Sequence, residues 1–337
     1  ALTLAVALNI LGLNVAKWLH NIGAVCIWVP AFALVVMGFI SWSRFGAATQ
    51  INAHTIIPST HLKDVIFWST IAFAFGGVET ASSMGDEIKD ARRVIPRALI
   101  TAGIIITTIY IVATAAVLVA LPSSEVTGLQ GVMQAVESVG GRVGAAGLTP
   151  IIAALVVTGS VGAVGAWFAA TARLPFVAGI DRFLPPMFGS LHPKWGTPHV
   201  ALLTQAMIAA VIVFLGQAGT NVKGAYDVLV SMGVIAYFIP FLYMFAAMIR
   251  LQGEPAAPGV IRVPGGKPAA MALAAVGFLT TALSILLALI PADDEPNKRL
   301  AVAKIVGLTL LLVAIGQVMY MAGKRKRPAP GAGQPPA

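Results

Sequence analysis

Charge is scarce in this chain. Only 10% of its 337 residues are charged, against 58% that are hydrophobic. A water-soluble domain of that length could not hide so much apolar surface, so the soluble classes are excluded and the chain belongs in a bilayer. Cysteine is nearly absent too: the single Cys26 lies inside an apolar run, which leaves no internal disulfide and no cysteine metal cluster. The five histidines, His20, His54, His61, His192 and His199, fall in connections or at the ends of apolar runs. They form no His-Glu-x-x-His, and no intramembrane aspartate pair or serine–base pair stands at helical spacing, so an enzyme, a metal and a cofactor are not expected. No filter-like sequence or repeated charge marks a channel. The net charge of +9 is spread through the short connections between apolar runs rather than gathered on one face. That distribution argues for a membrane lipid environment and against a nucleic-acid partner.

What is abundant is long apolar sequence. Eight runs, near 23–41, 65–84, 98–121, 147–180, 199–217, 227–249, 268–291 and 300–322, are long enough to cross about 30 Å of hydrocarbon as helix. The opening stretch from Ala1 to Leu13 is apolar but too short to span, and reads as the tail of a helix whose beginning lies upstream; a signal peptide fits it poorly. Placing Lys17 on the cytoplasmic side puts 15 of the 22 Lys and Arg residues on that side and 7 on the other. By the positive-inside rule this predicts a multi-pass protein of the cell (plasma or inner) membrane with a cytoplasmic C-terminus. Residues 1–323 are expected to form one transmembrane domain and 324–337 a basic, Pro- and Gly-rich cytoplasmic tail. Trp18, Trp42, Trp68, Tyr226 and Tyr320 suit the interfacial belt, and Gly159, Gly162 and Ala166 would let two helices approach closely.

One segment stands apart. In Phe73-Ala74-Phe75-Gly76-Gly77-Val78-Glu79 a carboxylate follows a glycine pair inside an apolar run. A carboxylate within a span usually lines a solute or ion path, and paired glycines invite local unwinding of the helix. Unwound backbone N–H and C=O groups are tolerated in hydrocarbon only where protein or a wet cavity covers them, and there they can hold the ammonium and carboxylate of a small zwitterion. Phe73 and Phe75 would close over such a site. The competing reading makes the phenylalanines lipid-facing or core and Glu79 a hydrogen bonder between helices.

The sequence downstream weighs between them. Gly77-Val78-Glu79-Thr80-Ala81-Ser82, Asp86-Glu87-Ile88-Lys89-Asp90 and Arg92-Arg93-Val94-Ile95-Pro96-Arg97-Ala98 closely resemble the sixth helix and following cytoplasmic loop of the amino acid-polyamine-organocation (APC) superfamily of permeases. A second block, Ala170-Thr171-Ala172-Arg173-Leu174-Pro175, Asp181-Arg182-Phe183-Leu184-Pro185, His192-Pro193-Lys194 and Gly196-Thr197-Pro198, resembles the family's eighth helix and the loop into the ninth. The resemblance runs from the end of the family's fourth helix to its twelfth. In the connecting loop, Pro96 is expected in the first turn of the next helix, with Asp86, Glu87 and Asp90 pairing with Arg92, Arg93 and Arg97.

The resemblance implies an all-α polytopic membrane protein with an inverted-repeat (LeuT-type) transporter fold and about eight complete transmembrane helices in this stretch. It implies a secondary active transporter that moves amino acids by alternating access, as a proton symporter or an amino acid exchanger. A transport-inactive membrane sensor or partner subunit that kept the permease fold is the alternative. The family's glycine-rich first-helix break, which binds the substrate backbone, lies outside the sequence given. Phe73, Ala74, Phe75, Gly76, Gly77 and Glu79 fall on the sixth-helix half of the substrate site. Phe73 stands where the arginine/agmatine exchanger branch has a tryptophan gate; phenylalanine weakens cation–π stacking, so a neutral amino acid is the favoured substrate. Glu79 is the proton-coupling candidate. Between Trp18 and Ser43 there is neither lysine nor arginine, which argues against the fifth-helix lysine coupling of some relatives.

Overall fold

A computed structural model of the chain describes residues 2–50, 52, 57–80, 85, 88–126, 130–254, 263–292 and 295–324. Among them no strand occurs. In chain order the helices are α1 (Leu2–Ile10), α2 (Leu13–Phe45), the single turn α3 (Leu62–Val65), α4 (Trp68–Ala74), α5 (Ala91–Ala120), α6 (Gly131–Arg142), α7 (Thr149–Thr171), α8 (Arg173–Ile180), α9 (His199–Gln217), α10 (Val222–Leu251), α11 (Gly266–Ala288) and α12 (Lys298–Lys324). Short 3-10 turns lie at Ala146–Leu148 and Pro186–Gly189.

Seven of these segments are long and apolar enough to cross a membrane: Ala16–Phe45, Ala91–Ala120, Ala146–Ile180, His199–Gln217, Val222–Leu251, Gly266–Ala288 and Lys298–Gly323. Only 11–33% of the residues in their most apolar windows are buried. Phe32, Phe39, Ile104, Phe214 and Leu279 each expose more than 60% of their surface. In water such faces would drive aggregation; in a bilayer they meet lipid. The molecule is an all-α polytopic membrane protein.

The eighth expected span, 65–84, is not one helix. It is broken into α3 and α4, and after Ala74 the backbone passes through turn at Phe75–Gly77 into 3-10 geometry at Val78–Thr80. Residues 81–84 lie outside the described residues, as do Asp86 and Glu87, His54, Arg262 and residues 325–337 of the basic tail. A second difference concerns α5, which begins at Ala91, so Arg92, Arg93 and Arg97 are helical and Pro96 sits inside the helix rather than in its first turn. Asp90 starts it in a left-handed conformation, φ 54°. Pro96 withdraws one i→i−4 hydrogen bond there. Lys304 lies inside α12 and donates to the carbonyls of Gly216 (2.8 Å) and Ala218. Its ammonium thus caps the C-terminus of α9, where carbonyls lack helical partners.

Packing is densest along α2 and α7. Gly159, Gly162 and Gly165 recur every three residues on one face of α7, and the first two are fully buried with Gly165. A Cβ on Gly23 of α2 would come 2.5 Å from Gly162 Cα, and one on Gly159 would come 2.7 Å from Ile27 Cγ1. The backbones therefore touch, as small-residue seams allow in membranes. The C-terminal half of α2 joins α5, α6 and α7 around Leu34, Met37, Ala116, Val136, Val139 and Ile152. A separate core of Ile212, Val228, Met232, Val234, Ile235, Phe238, Ala288 and Ile305 ties α9, α10, α11 and α12 together, and Phe73 and Tyr237 pack against it.

Candidate functional site

The interruption after α4 has a local cause. Gly77 takes φ 107°, open to glycine and strained for any L side chain, so the helix cannot continue through it. The turn holds itself together: the Gly76 N–H donates to Phe73 O at 2.9 Å, the Thr80 N–H to Gly77 O at 3.1 Å, and the Thr80 hydroxyl to the same carbonyl. Space is the second constraint. A Cβ on Gly76 would lie 2.8 Å from the Tyr237 ring, and one on Gly77 would lie 2.8 Å from Trp167 Cζ2. The glycine pair serves both conformation and close approach.

Glu79 closes a polar ring with the turn. The Gly77 N–H is shared between Glu79 Oε2 (2.9 Å) and the Tyr237 hydroxyl (2.8 Å), and that hydroxyl in turn donates to Glu79 Oε1. Both carboxylate oxygens thus accept a bond from the protein itself. A half-buried acid is tolerable in a span on these terms, because its lone pairs are satisfied and the freed Gly77 donor is covered. Tyr237 stands mid-way along α10, three residues before Pro240, which removes the bond to the Ala236 carbonyl and loosens the helix beside the site.

The aromatic neighbours divide between two walls. Phe73 meets Tyr237 edge-on at 5.4 Å and Phe238 at 6.3 Å. Phe75 meets Tyr110 of α5 edge-on at 5.2 Å, and the Tyr110 hydroxyl donates to Ala74 O at 2.7 Å. Trp167 of α7 lies against Gly77 and also lines an open groove of about 450 Å³ with Phe168, Thr171, Gln205, Ile208 and Met232. Among the described residues no group of three or more His, Cys, Asp or Glu is placed to hold a metal ion.

The six residues singled out from sequence run from the last residues of α4 (Phe73, Ala74) through the turn (Phe75, Gly76, Gly77) to Glu79 in the 3-10 stretch, with side chains of three helices packed around them. Sequence reasoning missed Tyr110, Trp167 and Tyr237, which complete the surroundings. Their signal was position: polar-tipped aromatics in the middle of spans, where the tip must find a partner, rather than at span ends.

Comparison with known proteins settles the family. The sequence profile described as amino acid permease matches residues 1–313. The chain belongs to the amino acid permease family. Permeases of this family are transporters and not enzymes. Curated relatives agree. An uncharacterized transporter of Legionella pneumophila is 24% identical over 86% of this chain and 63% of its own length. A probable agmatine/putrescine antiporter of Lactococcus lactis is 22% identical over 92% of this chain and 66% of its own length. A cadaverine/lysine antiporter of Escherichia coli is 24% identical over 73% of this chain and 55% of its own length. The chain therefore spans between about half and two thirds of the length of these relatives.

Proposed function

We propose that this permease acts in secondary active transport of amino acids by alternating access, as an exchanger or a proton symporter, with the turn from Phe73 to Glu79 as part of the substrate site. The observation that carries the proposal is the broken α4 segment: backbone groups freed from helix geometry lie among three aromatic rings and a carboxylate, within a bundle of spans. Such broken helices present backbone dipoles to the charged ends of a small zwitterion. The membrane bundle is inserted with its C-terminus in the cytoplasm, on the strength of the basic residues in its connections.

A neutral amino acid is the proposed substrate class, although two relatives are named for diamines and basic compounds. Support comes from Glu79, both of whose oxygens are engaged by Tyr237 and Gly77, and from Phe73, which is held edge-on by Tyr237 and Phe238. Neither group is arranged to receive a substrate's distal cation. Glu79 is proposed as the carrier of a coupled proton, taken up when the ring with Tyr237 opens and the carboxylate loses its donors, and given up when the ring closes.

Uptake of labelled amino acids into proteoliposomes, with and without internal amino acid, tests the proposal. Saturable uptake stimulated by internal substrate, and competed better by neutral amino acids than by agmatine, is expected. Binding of an amino acid with no uptake would favour the sensor or partner-subunit reading instead. Retention of the full pH dependence of uptake in Glu79→Gln would exclude the glutamate as proton carrier.

A further inference from the structure

A break in a membrane span frees backbone groups of both kinds, and the turn after α4 covers them with two tyrosines. The freed donor, the Gly77 N–H, is taken by the Tyr237 hydroxyl and by Glu79. The freed acceptor lies at the other edge of the break. Ala74 is the last residue of α4, and a helix end leaves its final carbonyls without helical partners. The amides of the turn serve the two carbonyls before it, Phe75 N–H donating to Ala72 O at 3.3 Å and Gly76 N–H to Phe73 O at 2.9 Å. The Ala74 carbonyl takes its donor from another helix: the Tyr110 hydroxyl of α5, at 2.7 Å. With one hydroxyl on the N–H and another on the C=O, the break is covered at both edges, as hydrocarbon demands.

The same side chain reaches Phe75. The two rings meet edge-on, 5.2 Å between centroids and 74° between planes, and Tyr110 is the one aromatic neighbour of Phe75 among the described residues. Phe73, on the other wall, has two, Tyr237 and Phe238. Apolar contact is non-directional, whereas a hydrogen bond weakens steeply with angle, so the bond to Ala74 is what fixes where the Tyr110 ring stands beside Phe75. Tyr110 also comes from a different part of the bundle. Helix α5 packs with α2 and α6 in the core that holds Leu34, Ala116 and Val136, while α4 packs on α10 and α11 beside the core that holds Val234, Phe238 and Ala288. The hydroxyl thus ties one helix group to the other at the turn.

We propose that Tyr110 is a positioning residue for the substrate site: by holding the Ala74 carbonyl and the edge of Phe75 together from α5, it fixes the Phe75 ring beside the Gly76–Gly77 break in the arrangement that receives substrate. That Phe75 meets substrate rests on the transport reading above; that Tyr110 fixes Phe75 does not. The opposite role has a definite signature. A freed carbonyl can accept a substrate ammonium, and a hydroxyl that merely occupied it would compete, so its removal would tighten binding. A positioning hydroxyl loosens binding when removed. The ring contact with Phe75 favours positioning, because a competitor needs only to reach the carbonyl.

The test uses the whole chain in lipid nanodiscs, with 4-fluorophenylalanine placed at position 75 alone and labelled alanine, serine and leucine as binding probes. Tyr110→Phe removes only the hydroxyl; Tyr110→Leu removes the ring as well and serves should the first fold poorly. We expect the fluorine signal of the wild type to stand apart from that of denatured protein, and to move most of the way back in either variant. Binding of the amino acids should weaken about two- to tenfold in Tyr110→Phe, the equivalent of one neutral hydrogen bond, with the number of sites unchanged. Loss of folded protein would instead lower the number of sites and leave the affinity alone. A fluorine signal that does not move in the variants, an unchanged or tighter affinity, or the loss of folded protein in both variants overturns the proposal. Wild-type protein that binds none of the three amino acids, yet shows the fluorine change in the variants, would defeat the transport reading and leave Tyr110 as the residue that fixes Phe75.

Discussion

Glycine does opposite things in two parts of this molecule. Along the α2–α7 seam, Gly23, Gly159, Gly162 and Gly165 stay inside regular helices and serve by having no side chain, so that backbones touch. At the end of α4, Gly77 also makes room, for Trp167, but its φ of 107° takes the chain out of the helix altogether. The difference lies in the partners. On the seam, another helix covers each glycine and its i→i−4 bond is kept. At the turn, Tyr237 and Glu79 accept the freed Gly77 N–H, which makes the break affordable in a span. A break and a seam need the same residue type; the neighbouring polar groups decide which forms.

The largest effects should come from filling the seam. In Gly162→Leu even the first carbon has nowhere to go, since Gly23 backbone and Leu19 O occupy its space. Overpacking against a side chain typically costs about 1–3 kcal/mol, and here the obstacle is backbone. We expect loss of the monodisperse peak in detergent size-exclusion chromatography, with Gly103→Ala, which meets nothing within 4 Å, unchanged. A well-folded Gly162→Leu would show that the seam is loose. At the turn, Gly77→Ala should separate stability from function. Positive φ strains an alanine by about 1–3 kcal/mol, so the protein should still fold with a lowered midpoint of thermal unfolding. Its uptake should fall at least about tenfold, the equivalent of roughly 1.4 kcal/mol in binding. Equal losses in both measurements would erase the distinction between the two regions.

This distinction was partly legible beforehand. Run length and apolar content foretold the seven spans, because hydrocarbon demands backbone satisfied within the segment. The break at Gly76–Gly77 was legible because a glycine pair weakens a helix and is costly in lipid unless the freed groups are covered. The interruption between Val65 and Trp68 was not foreseen, because hydropathy averages over a window and does not see a local break; the break at Gly77 was expected from the glycine pair. The start of α5 was misread for the converse reason, since Arg92, Arg93 and Arg97 look like loop by composition yet sit comfortably in a helix end that reaches water. Tyr110, Trp167 and Tyr237 were out of reach because each is brought to the turn from a helix distant in sequence, and only the packing shows which of many aromatics arrives there. Gly159 and Gly162 were read correctly as packing residues, while the matching Gly23 passed unnoticed.

Tyr237→Phe sharpens the comparison more gently, since it removes one oxygen and keeps the ring edge-on to Phe73. Glu79 Oε1 then loses its donor, and the Gly77 N–H keeps only Oε2. A hydrogen bond to a charged group contributes about 1.5–3 kcal/mol, so its loss should lower the thermal midpoint and weaken uptake several-fold. The double variant Tyr237→Phe, Glu79→Gln is the decisive comparison. If the two groups act as one unit, the pair of changes should cost less than the sum of the single ones, whereas strict additivity would mean that the ring does not hold the turn.

The smallest effect is the one that speaks to substrate. Phe73→Trp enlarges the aromatic face at the turn where Gly233 leaves space, the Phe73 ring lying 3.6 Å from the position a Cβ on Gly233 would take. A cation over indole gains about 0.5–1 kcal/mol relative to a weaker face at an exposed site, which corresponds to roughly two- to fivefold in affinity. Competition by agmatine against neutral amino acid uptake should therefore strengthen by about that factor, with neutral competitors little changed. The control Gly103→Ala should leave this ratio where it was, because a methyl there meets nothing within 4 Å. A selectivity that moves with Gly103→Ala or stays fixed in Phe73→Trp would take Phe73 out of the substrate's path and return it to the core formed with Tyr237 and Phe238.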